Sequence, residues 1–294
     1  VEVCEEKVDE ISFIIGDFGK EVEQMLIDIA HRLNARGKIY YQEEPLGTAH
    51  AILCAKESLK GKVTVAFADT LFDAGFKLNT QRDGIIWTHK VKDPSAFGVV
   101  KKNSNGTIAG FVEKPKEFVS NEAIIGIYYF LDGENLRNEL QYLIDNNINK
   151  QGEYQLTDAL QNMLDKGLEF ITNDVREWLD CGNKNATVNT NQRILELKKD
   201  KETLVSKEIT TNNSKIISPC YIANGAQIIN SEIGPYVSIG ENTIITSSHI
   251  ANAIIQNNSS LLDVKTSNSM IGSNTIIEGT TQELSIGDYS EIKQ

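Results

Sequence analysis

Through residues 213–294, isoleucine returns at intervals of six or five: Ile216, Ile222, Ile228, Ile233, Ile239, Ile245, Ile250, then Ile271 and Ile277. That period suits neither an amphipathic helix nor a hairpin. It fits a coil in which each hexad makes one flat face of a triangular prism, its isoleucine pointing inward and a small or turn-forming residue opening the corner. Ile222-Ala223, Ile233-Gly234, Ile239-Gly240, Ile271-Gly272 and Ile286-Gly287 follow the rule. A β-sandwich would instead alternate at period two between variable loops. The spacing therefore predicts a left-handed parallel β-helix over 213–294. Its register is expected to weaken between Ile250 and Ile271, where Gln256-Asn257-Asn258-Ser259-Ser260 reads as a bulge or loop.

Before residue 195 the pattern changes to short apolar runs alternating with helical segments, the order of an α/β domain. Ile11 to Ile15 reads as a strand. Val22, Met25, Leu26, Ile29 and Leu33 fall on one helical face, and Gly37 is the stop after it. Ile39 to Tyr41 is the next strand. The loop Gln42 to Thr48 then leads into a second helix. Val63 to Ala68 is apolar except for Thr64, which predicts a central strand covered on both faces and ending at Asp69. The charged segment 196–212 reads as a linker, helical at its start. The expected domains are thus 1–195 and 213–294.

Composition narrows the function. The 294 residues suggest two domains, and 40% apolar with 24% charged residues is ordinary for a soluble globular protein. No run reaches the roughly 20 apolar residues of a membrane span, and nothing resembles a signal peptide, so a cytoplasmic location without membrane partners is expected. Cys4, Cys54, Cys181 and Cys220 are scattered, which favours reduced structural thiols over a disulfide or zinc site. A net charge of -12 argues against nucleic acid as a partner. A small phosphorylated ligand needs only a local positive pocket and remains compatible.

Ligands of open α/β sheets bind beyond the carboxyl ends of strands, and Asp69 stands at such an end. By itself an aspartate after a strand is more often a turn or cap residue. Glu113-Lys114-Pro115 closes the run Ile108 to Val112, and the proline is expected to hold Lys114 extended, aiming a cation from a strand end. In Trp178-Leu179-Asp180-Cys181-Gly182, the aspartate is either a helix cap or a metal ligand. The loop Gln42 to Thr48 offers an amide side chain and a glycine permitting close backbone approach, or is a plain strand-to-helix connection.

These segments, in this order, resemble the sugar-phosphate nucleotidyltransferases, especially bacterial glucose-1-phosphate thymidylyltransferases with a C-terminal hexapeptide-repeat domain. The resemblance runs over nearly the whole chain. It rests on Gln42-Glu43-Glu44-Pro45-Leu46-Gly47-Thr48-Ala49, Ala68-Asp69-Thr70-Leu71-Phe72, Phe97-Gly98-Val99-Val100, Phe111-Val112-Glu113-Lys114-Pro115, Gly126-Ile127-Tyr128, Gly152-Glu153-Tyr154-Gln155-Leu156-Thr157-Asp158 and Trp178-Leu179-Asp180-Cys181-Gly182. It implies a Rossmann-like nucleotide-diphospho-sugar transferase domain followed by the β-helix. It further implies that Asp69 and Asp180 hold Mg2+, a cation suited to a few carboxylates plus phosphate oxygens and water. Gln42, Pro45, Gly47 and Thr48 would form the nucleotide site. Lys114 would grip the phosphate of the sugar phosphate, with Gly98, Glu113, Gly126 and Tyr128 lining the sugar site. The implied catalytic residues are Asp69, Asp180 and Lys114.

The implied reaction is attack of a sugar 1-phosphate on the α-phosphorus of a nucleoside triphosphate, dTTP and glucose 1-phosphate being favoured and uridylyl or guanylyl transfer the competitors. No covalent enzyme intermediate is implied, so His50 reads as a helix-surface residue. Two departures stand out. The family's glycine-rich loop and first strand are not in this sequence, which implies that they lie upstream and that residues 1–294 alone bind nucleotide poorly. Gln151 occupies a position often held by arginine, with Lys150 the substitute. A non-catalytic regulatory or scaffolding subunit is the alternative reading; acyl transfer at His249, the sole histidine of the repeat, is a weaker one. The repeat domain is expected to serve stability and homo-oligomerisation, capped at its end by Ser290 to Lys293.

Overall fold

The computed structural model describes residues 8–73, 81–279 and 282–293. The chain divides into two compact units, Val1–Trp178 and Leu179–Gln294. None of the helices among the described residues is long and apolar enough to cross a membrane.

The first unit runs β1 (Glu10–Ile15), α1 (Lys20–Arg32), β2 (Arg36–Tyr41), α2 (Thr48–Cys54), β3 (Val63–Ala66), β4 (Thr70–Asp73), β5 (Gly84–Lys90), β6 (Gly98–Lys102), β7 (Ile108–Glu113), β8 (Glu122–Phe130), α3 (Gly133–Asp145), α4 (Leu156–Asp165) and β9 (Phe170–Asp174), and β10 (Glu177–Asp180) begins in it. Its main sheet has the order β7-β6-β8-β5-β9, with β3 also pairing to β8. The central strand β8 is apolar on both faces. Ile124, Tyr128 and Phe130 pack with Leu136, Leu140 and Leu143 of α3 and Leu160 and Met163 of α4. Ile125, Ile127 and Tyr129 pack on the other side with Ile85, Trp87 and Val175. Burying each such side chain contributes about 1.5–3 kcal/mol, so β8 is the anchor of the unit. Asp132 caps α3 by accepting the Asn135 N–H at 2.9 Å.

Two local expectations change. Met25 and Leu33 are exposed, because α1 turns Ile27 and Ala30 toward β2. Strand β3 ends at Ala66 rather than Ala68, and only Val63 and Val65 face the core; Thr64 and Ala66 are exposed. It is half-covered, not buried on both faces. Strands β1 and β2 form a separate parallel pair, and among the described residues β1 has β2 as its only strand partner.

The second unit holds α5 (Lys184–Lys198) and a parallel β-solenoid of about five turns, consistent with a left-handed β-helix. Thr210, Gln227, Ile244, Ser260, Ile276 and Glu291 stack in one column, so successive coils consume 17, 17, 16, 16 and 15 residues. A 17-residue coil divides as six, six and five, which is the isoleucine spacing from Ile216 to Ile233 and again from Ile233 to Ile250. The expected gap between Ile250 and Ile271 is not a gap. Ile255, Leu261 and Thr266 occupy the inward positions, paired with Ile239, Ile245 and Ile250 below and, for the first two, with Ile271 and Ile277 above. Gln256-Asn257-Asn258 is an ordinary corner, its turn made by Asn258 at φ 57°.

Corners elsewhere use the same device, with Asn213, Asn230, Asn242, Asn252, Asn268 and Asn274 all at positive φ. Asparagine tolerates that conformation better than other residues carrying a Cβ. Hydroxyls knit the coils together: half-buried Ser214 and buried Ser231 and Ser248 each accept a backbone N–H from the next coil at 3.0 Å. Helix α5 packs against the coils of this unit. Asn191 accepts from Ser238 at 2.6 Å, and Glu196 accepts from Tyr236 at 2.7 Å. His249 lies on an outward position, half exposed, 3.8 Å from Glu232. The final coil is closed by Glu291–Lys293.

Candidate functional site

The site of the first unit forms where the sheet forks along one edge of β8. Strand β3 pairs with Ile127 to Phe130, whereas β6 meets β8 at Ala123. Among the described residues, the stretch between them has no strand neighbour on that edge. Within it Gly126 O accepts the Phe67 N–H at 2.9 Å, and the register against β5 shifts there, Ile124 to Tyr128 of β8 spanning only Thr88 to Ile86, which marks a bulge in β8. Bulges re-aim backbone and side chains and recur beside active sites.

Three of the expected motifs reach this fork. Asp69 sits, exposed, in the turn between β3 and β4. Glu113 ends β7 in register with Gly98 at the start of β6. Tyr128 lies on β8, buried at 4% exposure and edge-on to Phe67 at 5.8 Å. Burial, and after it the carboxylates of Glu113 and Asp69, hold the Tyr128 hydroxyl far above its ordinary titration range. Both carboxylates therefore lie close enough to act on one buried phenol, although 44 residues separate them in sequence.

Lys114 departs from expectation. It is not extended: its φ is +42°, and its N–H donates to Phe97 O at 3.1 Å. The reason is that Pro115 is buried, so the chain must turn sharply off the end of β7. A residue with a Cβ in this conformation carries strain of order 1–3 kcal/mol, and such strain gathers at ligand sites. The side chain is exposed and carries the positive charge at the fork. Lys150, the substitute phosphate contact, is committed elsewhere: its ammonium pairs with Asp158 at 2.8 Å.

The loop between β2 and α2 is closed from inside. Gln42 Nε2 donates to Gly47 O at 3.1 Å and stands 3.1 Å from His50 Nδ1. Because a carbonyl can only accept, the nitrogen must face Gly47, leaving the amide oxygen for a ligand. His50 is thus half-buried against Gln42 rather than a plain surface residue. Gly47 has φ +100°, and a Cβ there would stand 2.6 Å from Tyr154 O. Pro45 is exposed. Thr48 opens α2, and its hydroxyl accepts the Leu156 N–H at 3.0 Å.

Asp180 falls in the second unit. One carboxylate oxygen accepts the Gly182 N–H at 2.9 Å, and its carbonyl accepts from Thr190 at 2.7 Å. It is not the cap of α5. Asn183 does that, accepting the Ala186 N–H at 3.0 Å. Among the described residues, no group of three or more His, Cys, Asp or Glu side chains is placed to hold a metal. Two contributors escaped sequence reading: Thr157, which lay inside a quoted motif, and Phe67, which had no signal beyond its place in an apolar run.

A forked α/β sheet with carboxylates and a lysine near strand ends is suited to a small phosphorylated ligand. The chain belongs to the nucleotidyl transferase family, whose pattern matches residues 2–196. It is 29% identical over 318 residues to the glucose-1-phosphate thymidylyltransferase of Streptomyces antibioticus, covering 97% of this chain and 86% of that protein. It is 30% identical over 288 residues to the bifunctional protein GlmU of Clostridioides difficile strain 630, covering 87% and 61%. Its fold is similar to the nucleoside-diphosphate-sugar pyrophosphorylase of Vibrio cholerae RC9, with a TM-score of 0.54 at 18% identity over 62% of this chain and 80% of that one. Sugar-phosphate nucleotidyl transfer is the activity class these findings support.

Proposed function

We propose that the protein transfers a thymidylyl group from dTTP to glucose 1-phosphate, releasing pyrophosphate. The observation that supports this reading is the approach of three separate motifs to one edge of β8: Phe67, two residues before Asp69, donates to Gly126 O, Glu113 pairs with Gly98 on the strand beside β8, and the carboxylates of Asp69 and Glu113 both act on Tyr128. In the proposed reaction a phosphate oxygen of the sugar phosphate attacks the α-phosphorus. The bond to the β-phosphate bridging oxygen breaks, and pyrophosphate carries away the electron pair. Lys114 neutralises the sugar phosphate, and Glu113 accepts from sugar hydroxyls beside Gly98. The amide oxygen of Gln42 accepts the ring N–H of the base, while Pro45 and Gly47 shape its pocket.

Asp69 and Asp180 are the proposed holders of Mg2+. Asp69 is exposed, and Asp180 has one oxygen on Gly182, which leaves the other for a cation. Two hard oxygen donors without a third protein ligand suit Mg2+, which keeps water and substrate phosphates in its shell. When bound, the ion would offset charge on the triphosphate. Alignment and charge neutralisation then suffice for catalysis, with no protein nucleophile or base.

The reading is tested by pyrophosphate release from the full-length native protein with glucose 1-phosphate and a panel of triphosphates. Turnover that requires Mg2+ and is fastest with dTTP is expected. Fastest turnover with UTP or GTP overturns the choice of base, and no turnover with any triphosphate favours a non-catalytic subunit.

A further inference from the structure

We propose that Thr157 is a positioning residue that fixes Glu113, and that its own place is set by the loop carrying Gln42 and Gly47. The inference rests on the sugar-phosphate role of Glu113 proposed above. Thr157 lies in the first turn of α4 and is buried at 5% exposure, too enclosed for a substrate to reach its hydroxyl. That hydroxyl does not cap its own helix. It donates to Glu113 Oε2 at 3.1 Å. Beside both groups Gly98 leaves the space the carboxylate needs, since a Cβ there would stand 2.9 Å from Glu113 Oε2 and 3.2 Å from Thr157 Cγ2. The carboxylate is therefore bonded by a buried hydroxyl in space a bare backbone leaves open, which removes rotamers it would otherwise sample.

The start of α4 is in turn fastened to the Gln42–Thr48 loop. Tyr154 N donates to Leu46 O at 2.8 Å, Ala49 N donates to Tyr154 O at 2.9 Å, and Leu156 N donates to Thr48 Oγ1 at 3.0 Å. Leu156 N–H is one of the donors a helix N-terminus leaves open, here satisfied by a side chain 108 residues away in sequence. One short segment, Tyr154 to Thr157, thus touches the base loop at one end and the sugar-site carboxylate at the other. Movement of the loop would reach Glu113 through three residues of backbone.

Calorimetric titration with glucose 1-phosphate, checked for folding by thermal melting, tests this. Thr157→Val removes the hydroxyl at nearly constant volume and should weaken binding about tenfold, the scale of one hydrogen bond to a charged group. Thr157→Ser should restore it, and Thr157→Ala serves if the valine variant fails to fold. In a Glu113→Gln background Thr157→Val should add little further loss, because both act through one carboxylate. Thr48→Val should weaken the same binding by a smaller factor. Unchanged affinity in folded Thr157→Val, or its full loss repeated on top of Glu113→Gln, overturns the positioning role. Unchanged affinity in Thr48→Val overturns the link to the loop. Wild-type protein that fails to bind glucose 1-phosphate brings down the sugar-site reading itself, and this inference with it.

Discussion

The two units spend their irregularities differently. In the solenoid positive-φ corners recur from coil to coil, as at Asn213, Asn230, Ser247 and Asp263 or at Asn242, Asn258 and Asn274, and inward residues stack on one another, as Ile228, Ile245 and Leu261 do. In the first unit the irregular places do not recur at a fixed interval, among them the bulge at Gly126, the left-handed Lys114 and the glycine pressed on Tyr154. Repetition spreads stability evenly along a coil axis. Uniqueness marks where backbone has been bent to place a side chain. The difference teaches where substitution should cost stability and where it should cost binding.

The sharpest contrast is in the solenoid core. Ile245 is fully buried between Ile228 and Leu261. Ile245→Ala should cost about 2–5 kcal/mol in urea unfolding of the second unit, while glucose 1-phosphate affinity stays unchanged; a loss below 1 kcal/mol would break the contrast from its stable side. Gly47→Ala comes next. It must strain a φ of +100° and push Tyr154 away, so roughly 1–3 kcal/mol of stability should go. Nucleotide affinity should fall with it, measured by titration with Mg-dTTP; retained affinity would show that the loop is not a base site.

A smaller effect is expected at a corner. Asn258→Ala should cost about 1 kcal/mol and Asn258→Gly only a few tenths, because what the corner requires is tolerance of positive φ; equal losses in thermal melting would point to the side chain instead. The smallest effect at neutral pH belongs to Tyr128. Its folded-state value is raised above the ordinary 10, so the stability it contributes is complete below that pH and is lost as pH rises beyond it. Unfolding of the first unit followed from pH 8 to 11 should show a steeper decline in wild type than in Tyr128→Phe. Parallel curves would mean that the phenol is not held by burial and the two carboxylates.

The same difference decided what could be read from the sequence. A solenoid writes its geometry as a local period, so Ile216 to Ile250 disclosed the fold. Where the period seemed to fail, Thr266 had replaced an isoleucine while its hydroxyl bonded to Gln282 O at 2.6 Å, a substitution that composition conceals. In the first unit, the motifs named Asp69, Glu113 and Tyr128, but not how they meet. The left-handed turn of Lys114 contradicted the local rule for a residue before proline, because burial of Pro115 outweighed it. Thr157 was invisible for a related reason: its partner Glu113 lies 44 residues away, and only the packing of α4 on β7 brings them together.

The carboxylates offer the most direct test of the proposed chemistry. Pyrophosphate release by the full-length native protein, with saturating Mg2+, dTTP and glucose 1-phosphate, should fall by about a thousandfold or more in both Asp69→Asn and Asp180→Asn, the scale of removing one charged group from a phosphoryl-transfer site, with melting temperatures close to wild type. Wild-type turnover in either variant would contradict the shared metal site and the reaction built on it.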